Sequence, residues 1–85
     1  MLLMEKRIGT ITILVLDRSV APMVNSVISD NAEIVLARQG LPFQHRNVAV
    51  ISLIVEGTVN EINTLSGKLG RIDHVEVKVA VTKLA

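Results

Sequence analysis

The 85-residue sequence contains no cysteine, no tryptophan and no tyrosine, and Phe43 is its one aromatic residue. The lack of cysteine excludes disulfide bonds, thiolate metal ligands and cysteine nucleophiles. It fits a reducing compartment, and we expect a cytoplasmic protein.

Clustered charge is also missing. Nine basic and eight acidic residues are scattered along the chain, and the formal net charge is +1. The phosphate backbone of DNA requires a concentrated basic face, whereas Lys6-Arg7 is the nearest approach to a basic arm. No helix-turn-helix is recognisable, and a β-ribbon that a dimer could present to DNA would carry too little positive charge. We therefore expect no direct binding to nucleic acid, and any role in transcription would require a DNA-binding partner or an indirect route.

Long apolar runs are absent too. Residues 1–4 are too few for the apolar region of a signal peptide. The longest apolar run, Val48–Val55, is interrupted by Ser52 and is too short to cross a bilayer. We expect no membrane association.

Aliphatic residues are abundant. Hydrophobic residues make up 49% of the chain, and the mean hydropathy is +0.50. A chain of this size forms one small domain, here assigned to residues 1–85 with an ordered core at about 6–82, and such a domain buries only about 60% of its unfolded surface. Apolar surface should remain exposed, which indicates a homo-oligomer, either a dimer or a tetramer.

Four segments have the β-branched composition of strands. They are Ile8–Leu16, Ile34–Ala37 running into Arg38-Gln39-Gly40, Val48–Val55, and the alternating segment from Val75 to Thr82. A polar connector, Leu41–Asn47, is predicted between the second and third strands.

Two segments have helical periodicity. Ser19 is predicted to cap the first helix, with Pro22 in its first turn; its apolar stripe is Val20, Met23, Val24, Val27 and Ile28. Thr58 and Glu61 form a capping box for the second helix, and Gly70 is predicted as the glycine that follows its end. The second stripe is Val59, Ile62, Leu65 and Leu69.

The resulting order, βαββαβ, is that of the ferredoxin-like α+β sandwich, with two helices on one face of a four-stranded antiparallel sheet. The first and third strands are apolar on both faces, as expected for central strands. Leu14 and Leu16, with apolar residues of the third strand, should lie on the face that the helices leave open. We expect a second copy to cover this face or a neighbouring sheet edge to extend it.

The pair Gly67-Lys68 invites a phosphate-loop interpretation. A phosphate loop requires an upstream glycine, which is Ile62 here, and a Ser or Thr after the lysine, which is Leu69. The pair also lies inside a capped helix, so this interpretation fails. Two alternatives stay open for Ser66 and Gly67: a fraying helix end, or close approach of another backbone or a ligand, which would make them interface residues.

Several segments together resemble a known family. They are "VLDRS" (15–19), "IVLARQGLP" (34–42), "LSGKLG" (65–70) and "VEVKV" (75–79), of which "ARQGLP" and "LSGKLG" are the most specific. Over residues 5–81 the chain resembles the small family of regulators of the iron-only hydrogenase system. That family is similar to free-standing ACT-type domains and to the C-terminal domain of the nickel-responsive repressor, which binds metal and joins subunits into a tetramer.

The resemblance implies an oligomeric ACT-like regulatory module that senses a small ligand at a subunit interface, linked to transcriptional control. By this resemblance Asp17, Arg18, Ser19 and Val20 form the lip of an effector pocket. The alternative for this segment is an ordinary turn and cap. Arg38, Gln39 and Gly40 could supply an anion contact, with Gly40 allowing close approach, or could form a solvated edge.

The chain departs from these relatives in two ways. The nickel site of the repressor uses several histidines and a cysteine, but this chain has only His45 and His74. ACT domains place a glycine in the turn after the first strand, and Asp17–Val20 has none. The departures argue against nickel and leave amino-acid binding at this turn open.

Neither histidine has a second ligand three or four residues away, although a metal site needs three or four convergent ligands. No nucleophile has a base at a recognisable spacing, and no acid–base pair can be assembled. We therefore expect no catalytic residues and no enzyme, and nothing in the sequence identifies a cofactor. The competing hypothesis is a ligand-free assembly subunit whose apolar sheet face or sheet edge docks a protein partner.

Overall fold

The computed structural model describes residues 5–82. It contains four strands and two helices in the order β1 (Arg7–Val15), α1 (Ala21–Asp30), β2 (Val35–Phe43), β3 (Val48–Gly57), α2 (Val59–Gly70) and β4 (Val75–Val81). Two short 3-10 turns precede α1 and β2, at Arg18–Val20 and Ala32–Ile34. The predicted βαββαβ order is confirmed.

The strands form one antiparallel sheet in the order β2-β3-β1-β4. The first and third strands lie in the middle, as their apolar faces predicted, and the fold is the ferredoxin-like α+β sandwich. The register places Thr12 of β1 beside Ser52 of β3 and beside Lys78 of β4.

The core lies between the helices and one face of the sheet. It is entirely aliphatic, because alternate residues of the two central strands meet the apolar stripes of α1 and α2. Its fully buried members are Ile11, Ile13, Val15, Val24, Leu53, Val55, Ile62, Leu65 and Leu69. Two members of the predicted stripes stay outside the core, since Met23 is 56% and Val59 is 42% exposed, whereas Val20 and Val27 are partly buried against it.

The other face of the sheet, here called the open face, carries the alternate residues of the same strands. No helix or strand in residues 5–82 lies over it. Its exposed aliphatic and aromatic side chains include Ile8, Leu16, Leu41, Phe43 and Ile54. The prediction of an uncovered apolar face with Leu14 and Leu16 on it is confirmed for this part of the chain.

β2 is longer than predicted. The segment assigned to a polar connector is strand as far as Phe43, and only residues 44–47 form the turn. Pro42 has no backbone N–H to donate. It is tolerated because β2 is an edge strand, and in residues 5–82 its outer side has no neighbouring strand that would require a donor. The predicted start at Ile34 was also wrong, since that residue ends a 3-10 turn and a bulge follows between Val35 and Ala37.

Two predicted caps differ from the structure. Ser19 does not cap α1: it lies in the 3-10 turn, and the side chain of Asp17 caps that turn instead. Gly70 does not follow α2 but is its last residue, with Arg71 at the C-cap. The left-handed backbone conformation occurs later, at His74, with φ of 66°. The capping box of Thr58 and Glu61 is confirmed, with both reciprocal hydrogen bonds present.

Among the helices of residues 5–82, none combines the length and the apolar content that crossing a bilayer requires.

Candidate functional site

The turn after β1 is organised around the carboxylate of Asp17. Its Oδ1 accepts a hydrogen bond of 3.0 Å from the backbone N–H of Ser19 and one of 3.1 Å from the side-chain amide of Asn47. The Oδ1 of Asn47 in turn accepts the backbone N–H of Arg18 at 3.1 Å. The turn and the loop between β2 and β3 are therefore joined by two hydrogen bonds, both made by Asn47, and the bond from Ser19 closes the turn itself.

These contacts favour the ionised form of Asp17. The hydrogen bonds from Ser19 lower the pKa of Asp17 below 3.8, and the bond from Asn47 and the nearby His74 act in the same direction. The side chain is an anion at neutral pH, and it stands at a solvent-accessible position.

A third loop meets the same end of the sheet. The backbone N–H of Leu16 donates a hydrogen bond of 2.7 Å to the carbonyl oxygen of His74, in the turn that leads into β4. Leu16 is 41% exposed and belongs to the open face. The turn at Asp17–Val20 consequently lies at the rim of that face.

The second predicted segment, Arg38-Gln39-Gly40, lies well inside β2. Pairing sets Arg38 opposite Leu53, on the helix side, whereas Gln39 pairs with Ser52 on the open face. The guanidinium of Arg38 donates a hydrogen bond to the side-chain oxygen of Asn25 on α1. The three residues thus point to different sides of one strand.

One chain does not bring the two predicted segments together. Arg38 is level with Ile11 across the sheet, and Asp17 lies six residues further along the chain, just beyond the end of β1. At about 3.3 Å per residue, Arg38 lies about 20 Å from Asp17 along the strand direction, and Gly40, which is level with Ile13, lies about 13 Å from it. A site that used both would need contributions from two chains.

A shallow depression of about 300 Å³ lies over β2 and β3 on the open face. Its lining is mostly apolar and includes Leu41, Phe43 and Val50, with polar groups from Gln39 and Ser52. Gln39 is therefore the member of the predicted anion-binding segment that faces this depression.

Ser66 and Gly67 are placed on α2, away from the open face. The Ser66 hydroxyl donates a hydrogen bond of 3.3 Å to the carbonyl oxygen of Asn63. No atom lies within 4 Å of the position that a Cβ of Gly67 would occupy. Neither residue contacts the Asp17 turn, and their predicted interface role would require a separate surface.

The two histidines lie in loops, His45 between β2 and β3 and His74 before β4. In the part of the chain that is described, no three His, Asp or Glu side chains approach closely enough to hold a metal ion.

The residue that the sequence did not reveal is Asn47. It ends a polar loop and has no local spacing signal, although it contacts both Asp17 and Arg18 from 30 and 29 positions away. Only the meeting of the loops at one end of the sheet brings it there.

The fold and its specific segments match a known family. Residues 7–79 match the TM1266-like family, whose description reads "Iron-only hydrogenase system regulator, putative". The chain belongs to this family.

Solved structures agree with this assignment. The uncharacterized protein TM1266 from Thermotoga maritima is 40% identical, with a TM-score of 0.87, over 93% of this chain and 100% of that one. No curated protein matches the chain.

More distant structures share the fold alone. A homoserine dehydrogenase from Thiobacillus denitrificans is 16% identical with a TM-score of 0.61, over 94% of this chain and 18% of that one. The nitrogen regulatory PII-like protein CPII from Thiomonas intermedia K12, solved with ADP, AMP and bicarbonate, is 12% identical with a TM-score of 0.52, over 95% of this chain and 99% of that one.

Proposed function

We propose that this chain is a homo-oligomeric regulatory module of an iron-only hydrogenase system, which assembles through its open face and senses a small ligand at the rim of that interface. The observation that carries the proposal is the apolar open face, bordered at one end by the polar Asp17 turn. Family membership supplies the regulatory role; the assembly and the ligand are our inference.

The open face has the character of an interface. Ile54, at the middle of central strand β3, is 44% exposed, and Leu41 on the neighbouring strand is 58% exposed. Side chains of this kind on a continuous sheet face would lower their free energy by leaving water, at about 25 cal/mol for each Å² buried. Contiguous exposed apolar surface commonly marks a contact between proteins.

The rim supplies the polar groups that a ligand site needs. The Asp17 carboxylate is ionised and held in place, and Arg18 and Ser19 beside it are exposed. An amine or another cationic group on a ligand would be attracted to the carboxylate, and the exposed hydroxyl of Ser19 could donate or accept a hydrogen bond. A second subunit on the open face would close this site from one side.

If this module takes part in transcriptional control, it would act through a separate protein that binds DNA, because the scattered charge of the chain gives no basic face. Ligand binding that changes the assembly could transmit such a signal, because any ligand that prefers one assembly state shifts the population toward that state.

The assembly part is tested by native mass spectrometry on the purified protein and on Ile54→Thr. We expect a dimer or tetramer for the native chain and a shift toward monomer for the variant. Val59→Thr is the matched control, because Val59 is 42% exposed but lies on α2, on the other side of the sheet. A native monomer, or equal assembly for both variants, would refute assembly through the open face.

The ligand part is tested by thermal unfolding with amino acids, nucleotides and divalent metals added singly. A ligand at 100 times its Kd stabilises the folded state by about 2.7 kcal/mol. We expect stabilisation by one class and its loss in Asp17→Asn, with Asp30→Asn on the exposed end of α1 as the control. An intact oligomer that no ligand stabilises would favour the alternative, a ligand-free assembly subunit that docks a protein partner on the same open face.

A further inference from the structure

A row of polar residues crosses the open face. The strand register aligns Gln39 of β2 with Ser52 of β3, Ser52 with Thr12 of β1, and Thr12 with Lys78 of β4. We call these four residues the polar row. It spans all four strands, and two rows with three aliphatic members each flank it: Leu41, Val50, Leu14 and Glu76 on one side, and Ala37, Ile54, Thr10 and Ala80 on the other.

The polar row is free for contacts outside the chain. The side-chain hydrogen bonds found within residues 5–82 involve none of its four members. If another protein covers the open face, these groups lose water. They must then find new hydrogen-bond partners, because a buried polar group without one costs about 1–3 kcal/mol. The row therefore restricts what can cover the face, and in which orientation.

We propose that the polar row fixes the geometry of a face-to-face dimer of this chain, in which the two-fold axis runs parallel to the strands between β1 and β3. This inference rests on the assembly part of the proposed function. The occupant is a second copy, and the argument for it is the chemical match of the row with itself under this operation.

The match follows from the strand order. A two-fold axis along the strands places β1 over the partner's β3 and β4 over the partner's β2. Thr12 then faces the partner's Ser52, so that two hydroxyl groups meet, each able to donate and accept. At the ends of the row the ammonium group of Lys78 faces the partner's Gln39, whose side-chain carbonyl oxygen is an acceptor.

The aliphatic residues at the centre of the flanking rows agree with this arrangement, whereas Glu76 would lie over the partner's Leu41 at the edge of the sheet. Leu14 would lie over the partner's Val50, which lines the depression on the open face. Packed sheets are commonly rotated by about 30°. The ends of the row lie about 7 Å from the axis, given a strand spacing of about 4.8 Å, so this rotation displaces them by about 4 Å. The long side chains of Lys78 and Gln39 can span such a displacement.

The other two-fold axis in the plane of the interface runs across the strands, along the polar row. It would place each member of the row over its own copy, so that Lys78 would face the partner's Lys78. Like charges brought together at an interface oppose association. The position of Lys78 thus distinguishes the two arrangements, since both keep the aliphatic side chains at the centre of the face in the interface.

The test is a charge exchange at the ends of the row, read as the dimer Kd by sedimentation at low salt. Gln39→Lys places two positive charges together at both ends of the interface, and we expect the Kd to rise about tenfold or more. Lys78→Glu alone should change it little. The double variant, Gln39→Lys with Lys78→Glu, forms opposite-charge pairs at both ends, and we expect its Kd to return to near the native value.

The outcomes separate the two proposals. If the axis ran across the strands, Gln39→Lys would still weaken the dimer but Lys78→Glu would not restore it, which would overturn this inference and leave assembly through the open face intact. If none of the three variants changes the Kd while Ile54→Thr weakens assembly, the row lies outside the contact and the inference is also wrong. If Ile54→Thr has no effect, the proposed function itself fails. Circular dichroism of each variant establishes that the chain is folded.

Discussion

The side-chain amide of Asn47 donates a hydrogen bond of 3.1 Å to the carboxylate of Asp17, across 30 positions of sequence. The same Asn47 side chain accepts the backbone N–H of Arg18. The loop between β2 and β3 therefore holds the turn after β1 through both ends of a single amide group. Removing this group would free the turn without touching the aliphatic core.

Asn47→Ala should lower the free energy of unfolding by about 1 kcal/mol, because it removes two hydrogen bonds that each contribute roughly that much or less at an exposed site. Urea unfolding followed by circular dichroism measures the change. Asn60→Ala is the control, since Asn60 is exposed on α2 and should alter stability little. Equal stability of Asn47→Ala and the native chain would show that the two bonds contribute nothing in solution.

Stability should depend on the ionisation of Asp17. Its pKa in the folded state is lowered from 3.8 by the hydrogen bonds from Ser19 and Asn47, so the stabilisation is complete above the unfolded pKa. It is lost as pH falls from 3.8 through the lower, folded pKa. Asp17→Asn should lack this part of the pH dependence.

Urea unfolding at a series of pH values from about 5 down to 2 measures this difference. Asp30→Asn controls for the loss of a surface carboxyl at the end of α1. In a further comparison, Asn47→Ala should bring the folded pKa of Asp17 back toward 3.8, observable by NMR titration of the carboxyl carbon. An unchanged pKa would show that Asn47 does not interact with the ionised carboxylate.

Most of the fold was predictable because its signals are local. Apolar character on both faces identified the central strands, and the spacing of Ile62, Leu65 and Leu69 identified the buried side of α2. Two boundaries were not predictable. Leu41-Pro42 has the composition of a loop, and only the edge position of β2 lets a proline continue the strand. Gly70 was predicted to follow the end of α2, where glycine often adopts a left-handed backbone conformation. The helix instead includes Gly70, and the left-handed conformation occurs at His74.

The candidate site was only partly predictable, for a different physical reason. The turn at Asp17 has its own signal, since an aspartate that hydrogen-bonds the residue two positions on is a common turn former. Its contact with Asn47 depends on how two loops meet at the end of the sheet, and no local pattern encodes that meeting. The polar row could not be predicted from the sequence either, because it consists of one residue from each strand and depends on the pairing register of the sheet.

The cap of α2 offers a test of local energetics. Thr58 accepts the backbone N–H of Glu61 at 3.1 Å, and the Glu61 carboxylate accepts the backbone N–H of Thr58 at 2.8 Å. Thr58→Ala should reduce the free energy of unfolding by about 1 kcal/mol, because it leaves a donor of the first helical turn without its partner. Thermal and urea unfolding both measure this loss.

Thr64→Ala serves as the control for the cap. Thr64 is exposed within α2, where alanine has the higher helix propensity, so stability should stay the same or rise by a few tenths of a kcal/mol. Equal losses for Thr58→Ala and Thr64→Ala would mean that the capping hydrogen bonds do not stabilise the helix.

Two glycines should respond to alanine in opposite directions. A Cβ on Gly9 would lie 2.8 Å from the backbone carbonyl oxygen of Ala80, so Gly9→Ala forces β1 and β4 apart, and we expect a loss of about 1–3 kcal/mol. Gly67 has no atom within 4 Å of its Cβ position, and Gly67→Ala should stabilise the exposed helix by about 1 kcal/mol.

The same pair decides between the two interpretations of the Gly67-Lys68 segment. If Gly67→Ala raises the free energy of unfolding and leaves the subunit number by native mass spectrometry unchanged, Gly67 is an ordinary exposed helical residue and the predicted close approach is wrong. If the variant instead reduces assembly while circular dichroism stays native, another backbone occupies the space beside Gly67, because one methyl group at an otherwise empty surface can weaken assembly only by contact with a partner. Gly9→Ala should in that case lower stability without this selective effect.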